Sequence, residues 1–152
     1  MSLVFLDTGL VLKLIVEEPL SPVVRSFLER RSVPVPFSKL IEVETENALQ
    51  AMTFRKDITP AQLVKCRAMV ASLVGEGRFQ KVPLSLDVIV AEALNLSPIV
   101  TALTGCRTLD LMHVATARLL DSEEFVSTDK RQLRAAEVCG LNVVDLRAWK
   151  KG

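Results

Sequence analysis

Apolar positions along the chain fall into short unbroken runs, separated by longer stretches whose apolar residues recur with helical spacing. Leu3-Val-Phe-Leu6 is such a run; it ends on Asp7 and passes directly into Thr8-Gly-Leu-Val-Leu-Lys-Leu14. An uninterrupted apolar run of this length is the pattern of a strand buried on both faces in a parallel sheet, and the segment after it reads as a helix. Phe125-Val-Ser127, followed by Thr128 and Asp129, repeats the design. Between these two landmarks, Ser21-Pro22 predicts a helix to about Arg31, with serine as N-cap and proline at the first position. Val33-Pro-Val-Pro-Phe37 predicts a brief strand near a sheet edge, because proline cannot donate to a ladder. Ser38 opens a helix over Lys39 to about Phe54. Thr59-Pro60-Ala61-Gln62 combines a capping box with an N-terminal proline and starts a helix to about Val74, ended by Gly75-Glu-Gly77. A strand is predicted over Arg78–Val82. Ser85 caps a helix reaching Leu94 or beyond, and Ser97-Pro98 restarts a helix that stops at Gly105. Thr108 to about Leu120 and Asp129 to about Val138 are further helices, the latter terminated by Gly140, and Leu141–Val144 is the last strand. Strands alternating with helices predict a three-layer α/β/α sandwich with a mainly parallel sheet, formed as a single domain over residues 1–152.

Composition narrows the function. Of 152 residues, 49% are hydrophobic, high for a small domain. No apolar run approaches the roughly 18–20 residues of a membrane span. Lys13, Glu17 and similar charges interrupt them, so no membrane association is expected and the surplus apolar surface is assigned to a protein interface. The start lacks a basic region and a small-residue cleavage site, so no signal peptide is expected. Cys66, Cys106 and Cys139 are odd in number, widely spaced and free of any CxxC pairing, which argues against a disulfide framework or a zinc ribbon and predicts a reduced, cytoplasmic setting. A net charge of +1 gives no global basic field. Local basic groups such as Arg30-Arg31, Arg55-Lys56 and Lys130-Arg131 with Arg134 are each weak signs of a nucleic acid.

Four acids stand out by position. At about 100° per residue, Leu40, Ile41, Val43, Ala48, Ala51 and Met52 form one stripe of the 39–54 helix; Glu44 falls inside it, and Glu42 and Glu46 fall opposite. A carboxylate facing a core needs a partner, and an arginine salt bridge is the structural alternative. Asp7 and Asp129 each end a strand-like run before a helix; both fit an N-cap, and parallel strands would also bring them out at the same sheet edge, where ligands bind in open α/β sheets. Asp110 lies in the first turn of its helix, where an acid complements the dipole, and also in line with His113 and Ala117 on the edge of the apolar face. His113, the single histidine, reads as structural. Carboxylates gathered in one cleft repel one another, and Mg²⁺ or Mn²⁺ relieves that repulsion. Such ions support phosphodiester hydrolysis without a nucleophilic side chain, which suits a chain with one histidine and no tyrosine.

Phe5-Leu-Asp7-Thr8, Ser38-x-Leu40-x-x-x-Glu44-x-x-x-Ala48-Leu49, Thr108-Leu-Asp110-Leu-Met-His113-Val-Ala-Thr-Ala117 and Val126-Ser-Thr128-Asp129-Lys-Arg-Gln-Leu133 resemble, in order and spacing, the four signature blocks of PIN domains. The likeness is closest to VapC-type toxin ribonucleases of toxin–antitoxin pairs. It implies a parallel five-stranded sheet between helices and a Mg²⁺- or Mn²⁺-dependent endoribonuclease. Asp7, Glu44, Asp110 and Asp129 match the catalytic, metal-binding acids. Thr8, Ser38 and Thr128 match positions that support the acids or a metal-bound water. Lys130, Arg131 or Arg134 would meet the RNA backbone. The likeness also implies a homodimer and a cognate antitoxin whose tail fills the cleft. Gly9 stands where such toxins often carry serine, which removes any hydroxyl role there.

Three other readings fit parts of the sequence. An aspartate phosphotransferase of the haloacid-dehalogenase kind also begins with an apolar strand ending in Asp, but needs an acid where Gly9 stands. A PIN nuclease of RNA maturation or decay, with no toxin role, is another. A catalytically inactive RNA- or protein-binding module is the third, and the presence of all four acids speaks against it.

Overall fold

In the computed structural model, which describes residues 3–150, strands and helices alternate as the sequence predicts: β1 Val4–Leu6, α1 Thr8–Lys13, α2 Ser21–Arg31, β2 Val35–Phe37, α3 Lys39–Phe54, α4 Pro60–Gly75, β3 Phe79–Lys81, α5 Leu86–Thr104, α6 Thr108–Leu119, β4 Glu124–Ser127, α7 Lys130–Val138 and β5 Asn142–Asp145. The chain divides into two compact units. One contains the residues up to Asp7 with those from Pro83 onward; the other runs from Thr8 to Val82.

The first unit is built on a parallel ladder in the order β1-β4-β5. Its register pairs Phe5 with Phe125 and Leu6 with Val126. The Phe5 and Phe125 rings stack at 5.3 Å, and Val4, Phe5, Leu6, Phe125 and Val126 are all buried. Burying each such side chain contributes about 1.5–3 kcal/mol, so this short ladder is fixed by its side chains more than by its few hydrogen bonds. His113 of α6 is buried with its ring 6.0 Å from that of Phe5, the structural placement expected for it.

Residues 86–104 form one continuous helix, contrary to the break expected at Ser97-Pro98. Pro98 removes one backbone donor and crowds the carbonyl of Leu94. Ala93 and Leu96 on one side of it and Val100 on the other are buried along a single face, and that shared packing holds the helix together. The join also overturns the expectation that no apolar segment reaches membrane-span length. By length and composition α5 is apolar enough to cross a membrane, yet most of it is exposed, including Leu86, Val90, Leu94, Ile99 and Leu103.

In the second unit β2 and β3 pair in parallel, with Phe37 stacked on Phe79 at 5.0 Å. Leu49, Ile58 and Cys66 form a buried cluster against Leu12, Ile15, Val16, Met52 and Leu63, which ties α1, α3 and α4 together. The Thr59–Gln62 capping box closes in both directions, at 3.1 and 2.7 Å, as its sequence predicts. Ser21 is not the N-cap of α2: Leu20 holds that position, and the Ser21 hydroxyl instead accepts from the Glu18 N–H and donates to the Val16 carbonyl. Val43 is exposed, so the inward stripe of α3 runs through Leu40, Ile41, Glu44, Thr45, Ala48 and Leu49.

All described strand pairings are parallel, but they form a three-stranded and a two-stranded ladder instead of the single five-stranded sheet expected. The Val35 N–H donates to the Arg78 carbonyl, so the backbone groups of Val35 and Phe37 face β3 and those of Pro36 face the other way. Proline has no N–H, and a three-residue strand has no other donor on that edge.

Candidate functional site

The β1–β4 register decides what meets at the carboxyl end of the first unit. Leu6 pairs with Val126, so the next step along each strand sets Asp7 beside Ser127. The Asp7 N–H donates to the Val126 carbonyl at 3.1 Å, and its carboxylate, 6% exposed, accepts the Ser127 hydroxyl through Oδ2. Ser127 Oγ also accepts the Asp129 N–H at 2.9 Å. One buried hydroxyl therefore links Asp7 to the turn that delivers Asp129.

Asp129 is the N-cap of α7, as expected, with Oδ1 accepting from the N–H groups of Arg131 and Gln132 at 2.9 and 3.3 Å. Asp110 stands in the first turn of α6. Its Oδ2 accepts the Arg107 N–H at 3.2 Å and its Oδ1 accepts the Gln132 side-chain amide at 3.0 Å. Asp110 and Asp129 line one cavity of about 470 Å³, whose other walls are Arg107, Lys130 and Arg131. Arg134, exposed on the same helix, does not line it.

In the second unit Glu44 is half-buried on the inner face of α3 and accepts the Thr8 hydroxyl at 3.0 Å. Thr8 is the chain neighbour of Asp7. Ser38, buried, caps α3 by accepting the Ile41 N–H at 3.2 Å. Glu42 and Glu46 point away as predicted and pair with Lys81 and Arg67.

Three residues were not singled out by the sequence. Ser127, not Thr128, supplies the hydroxyl between the acids; Thr128 makes no side-chain hydrogen bond among the described residues. Gln132 binds two of the acids at once. Arg107 adds a third cation to the cavity. Only the strand register could have selected Ser127, because alternation along β4 turns Ser127 toward the position that Asp7 occupies.

The residues carry oxygen donors only, carboxylates with a hydroxyl and an amide, and among the described residues the Gln132 Oε1 is buried without a hydrogen-bond partner. That donor chemistry fits a hard divalent cation and excludes the thiolate and imidazole sets of zinc sites. As folded, no three acidic, histidine or cysteine side chains among the described residues converge closely enough to enclose an ion. Each carboxylate is instead held by a donor of the protein itself.

A PIN-domain family model matches residues 4–138. The chain belongs to the PIN-domain family. The match to this PIN domain runs through both units and includes all four acids. Solved structures resemble it at the level of fold. One is FitAB bound to an IR36 DNA fragment, with 14% identity, 97% of this chain and 98% of that one covered, and a TM-score of 0.70. FitAcB from Neisseria gonorrhoeae shares 13% identity over 97% and 100% of the two chains, with a TM-score of 0.65. VapBC2 from Rickettsia felis, bound to a DNA fragment from its promoter, shares 12% identity over 93% and 97%, with a TM-score of 0.67. No curated protein matches the sequence.

Proposed function

We propose that this PIN domain is a Mg²⁺- or Mn²⁺-dependent endoribonuclease and the toxin of a toxin–antitoxin pair. The observation that supports the proposal is the chain of contacts Asp7–Ser127–Asp129–Gln132–Asp110, which links three of the four expected acids through a hydroxyl and an amide without bringing their carboxylates together. Glu44, which accepts the Thr8 hydroxyl within the second unit, matches the fourth. The family match spans both units, which supports a single domain over residues 1–152.

Asp7, Glu44, Asp110 and Asp129 would hold the ion, which when bound supplies an activated water and neutralises charge on the phosphate. The protein's own residues do the rest. Ser127 keeps the Asp7 carboxylate oriented, and Thr8 does the same for Glu44; Ser38 and Asp129 fix the starts of the helices that carry Glu44 and Gln132. Arg107, Lys130 and Arg131 form no ion pair among the described residues, which leaves their charges available to RNA phosphates. Arg134 would extend that contact along the strand.

The likeness to VapC-type toxins and the complexed state of the FitAB and VapBC2 structures support a cognate antitoxin partner. The exposed apolar residues of α5 support a homodimer, and the likeness to toxins of this family supports a cytoplasmic setting. A second reading, a catalytically inactive binding module, is favoured by the failure of three acids to converge as folded. A nuclease of RNA maturation or decay keeps the same chemistry without the antitoxin.

Incubating a panel of labelled RNAs with purified protein in Mg²⁺, Mn²⁺ or EDTA separates the readings. Cleavage only with metal supports the nuclease. A folded protein that binds no Mn²⁺ and cuts no RNA leaves the binding module. Copurification of a small partner that suppresses cleavage distinguishes the toxin from a maturation nuclease.

A further inference from the structure

Asp129-Lys130-Arg131-Gln132 has the spacing of a capping box, in which the third helical residue returns its side chain to the N-cap N–H. Half of that box forms: Asp129 Oδ1 accepts the Gln132 N–H. The return bond does not. The Asp129 N–H goes to Ser127 Oγ, and the Gln132 side chain turns away to donate from Nε2 to Asp110 Oδ1 at 3.0 Å. In α4 the same pattern, Thr59 to Gln62, closes on both sides. Gln132 has thus been withdrawn from a local role and directed to another helix.

Burial gives that contact its rigidity. Gln132 is 7% exposed and sits beside buried Leu133, Ala135 and Ala136. Its Oε1 has no hydrogen-bond partner among the described residues. A buried acceptor left unsatisfied costs stability, and a leucine would fill the same space without that cost. Turning the amide over would set Oε1 against the Asp110 carboxylate. The amide therefore has one favourable orientation, with N–H toward Asp110.

We propose that Gln132 is a positioning residue: its backbone and side-chain N–H groups yoke Asp129 and Asp110, and fix the direction in which the Asp110 carboxylate presents itself to a cation. This rests on the reading of these acids as cation ligands. Asp110 Oδ2 is already held by the Arg107 N–H, so the second donor on Oδ1 removes the remaining freedom of the carboxylate. Residues that orient metal ligands in this way typically change metal affinity about 10–100-fold when removed.

The test compares Mn²⁺ binding by titration calorimetry in the wild-type protein, Gln132→Leu and a control, Glu137→Gln, exposed on the same helix. Alongside it, side-chain amide exchange of Gln132 is followed by NMR in the metal-free protein and in Asp110→Ala, with exposed Gln80 as reference. We expect Gln132→Leu to keep its fold and bind Mn²⁺ at least about 10-fold more weakly, with the control unchanged. We also expect the Gln132 amide to exchange more slowly than that of Gln80, and to lose this protection in Asp110→Ala. Wild-type binding with Gln132→Leu within twofold of it would overturn the positioning role and leave the metal site standing. A wild-type protein that binds no Mn²⁺ overturns the metal reading and this inference with it. If Gln132→Leu does not fold, the exchange measurement decides: an amide as fast as that of Gln80 overturns the proposal.

Discussion

The Ser127 hydroxyl donates to the Asp7 carboxylate, joining the ends of the two strands, β1 and β4, on which the acidic site is built. Because the same oxygen accepts the Asp129 N–H, Ser127→Ala removes two hydrogen bonds at once. A buried polar group that loses its partner costs about 1–3 kcal/mol. Urea denaturation should show a loss of that size, and a change below about 0.5 kcal/mol, the range of an ordinary surface substitution, would contradict the bridging role.

Pro98 lies inside α5, where it removes one helical hydrogen bond. Proline in a helix interior costs about 3 kcal/mol relative to alanine, and the looser unfolded chain of an alanine variant returns up to about 1 kcal/mol. Pro98→Ala should therefore raise stability by about 2 kcal/mol, read as a higher melting temperature. A lower one would mean that Pro98 serves a contact of its own.

Burial pushes the thiols of Cys66 and Cys139 above the ordinary value of 9.0; the Arg118 guanidinium beside Cys139 opposes this more weakly. A raised pKa in the folded state means that the unfolded chain releases these protons first. Stability from this source is intact below about 9 and declines as pH rises through the raised values. The urea midpoint of the wild type should fall between neutral pH and the alkaline range more than that of a Cys66→Ala, Cys139→Ala variant, and equal falls would contradict the shift.

Leu94 is 69% exposed on the apolar face of α5. Leu94→Glu should leave the stability of the monomer within about 0.5 kcal/mol, while sedimentation shows the proposed dimer shifted to monomer. A dimer that persists unchanged would move the interface elsewhere.

The strand–acid–helix design of Leu3–Asp7 and Phe125–Asp129 was legible because each is written locally, in an apolar run and a cap. The same holds for Ser38 and Thr59, whose side chains act within four residues. What escaped depends on partners distant in sequence. Ser127 matters through the register that places it beside Asp7, 120 positions away, and a single sequence does not state a register. Gln132 was hidden by a local pattern, the capping box, that a long-range contact overrides. Pro98 was overread for the opposite reason: its local rule is sound, and the buried face of α5 outweighs it. Pro36 was read correctly as a mark of a sheet edge, since β2 pairs on one side only, with β3.

The central claim, a metal-dependent ribonuclease acting through these acids, is tested most directly by the rate of RNA cleavage with Mn²⁺ in the wild type, Asp7→Asn and Glu44→Gln, each with and without EDTA. We predict cleavage by the wild type that EDTA abolishes, and a loss of at least about 100-fold in both variants with the fold intact. Cleavage that survives EDTA, or that either variant retains at the wild-type rate, would contradict it.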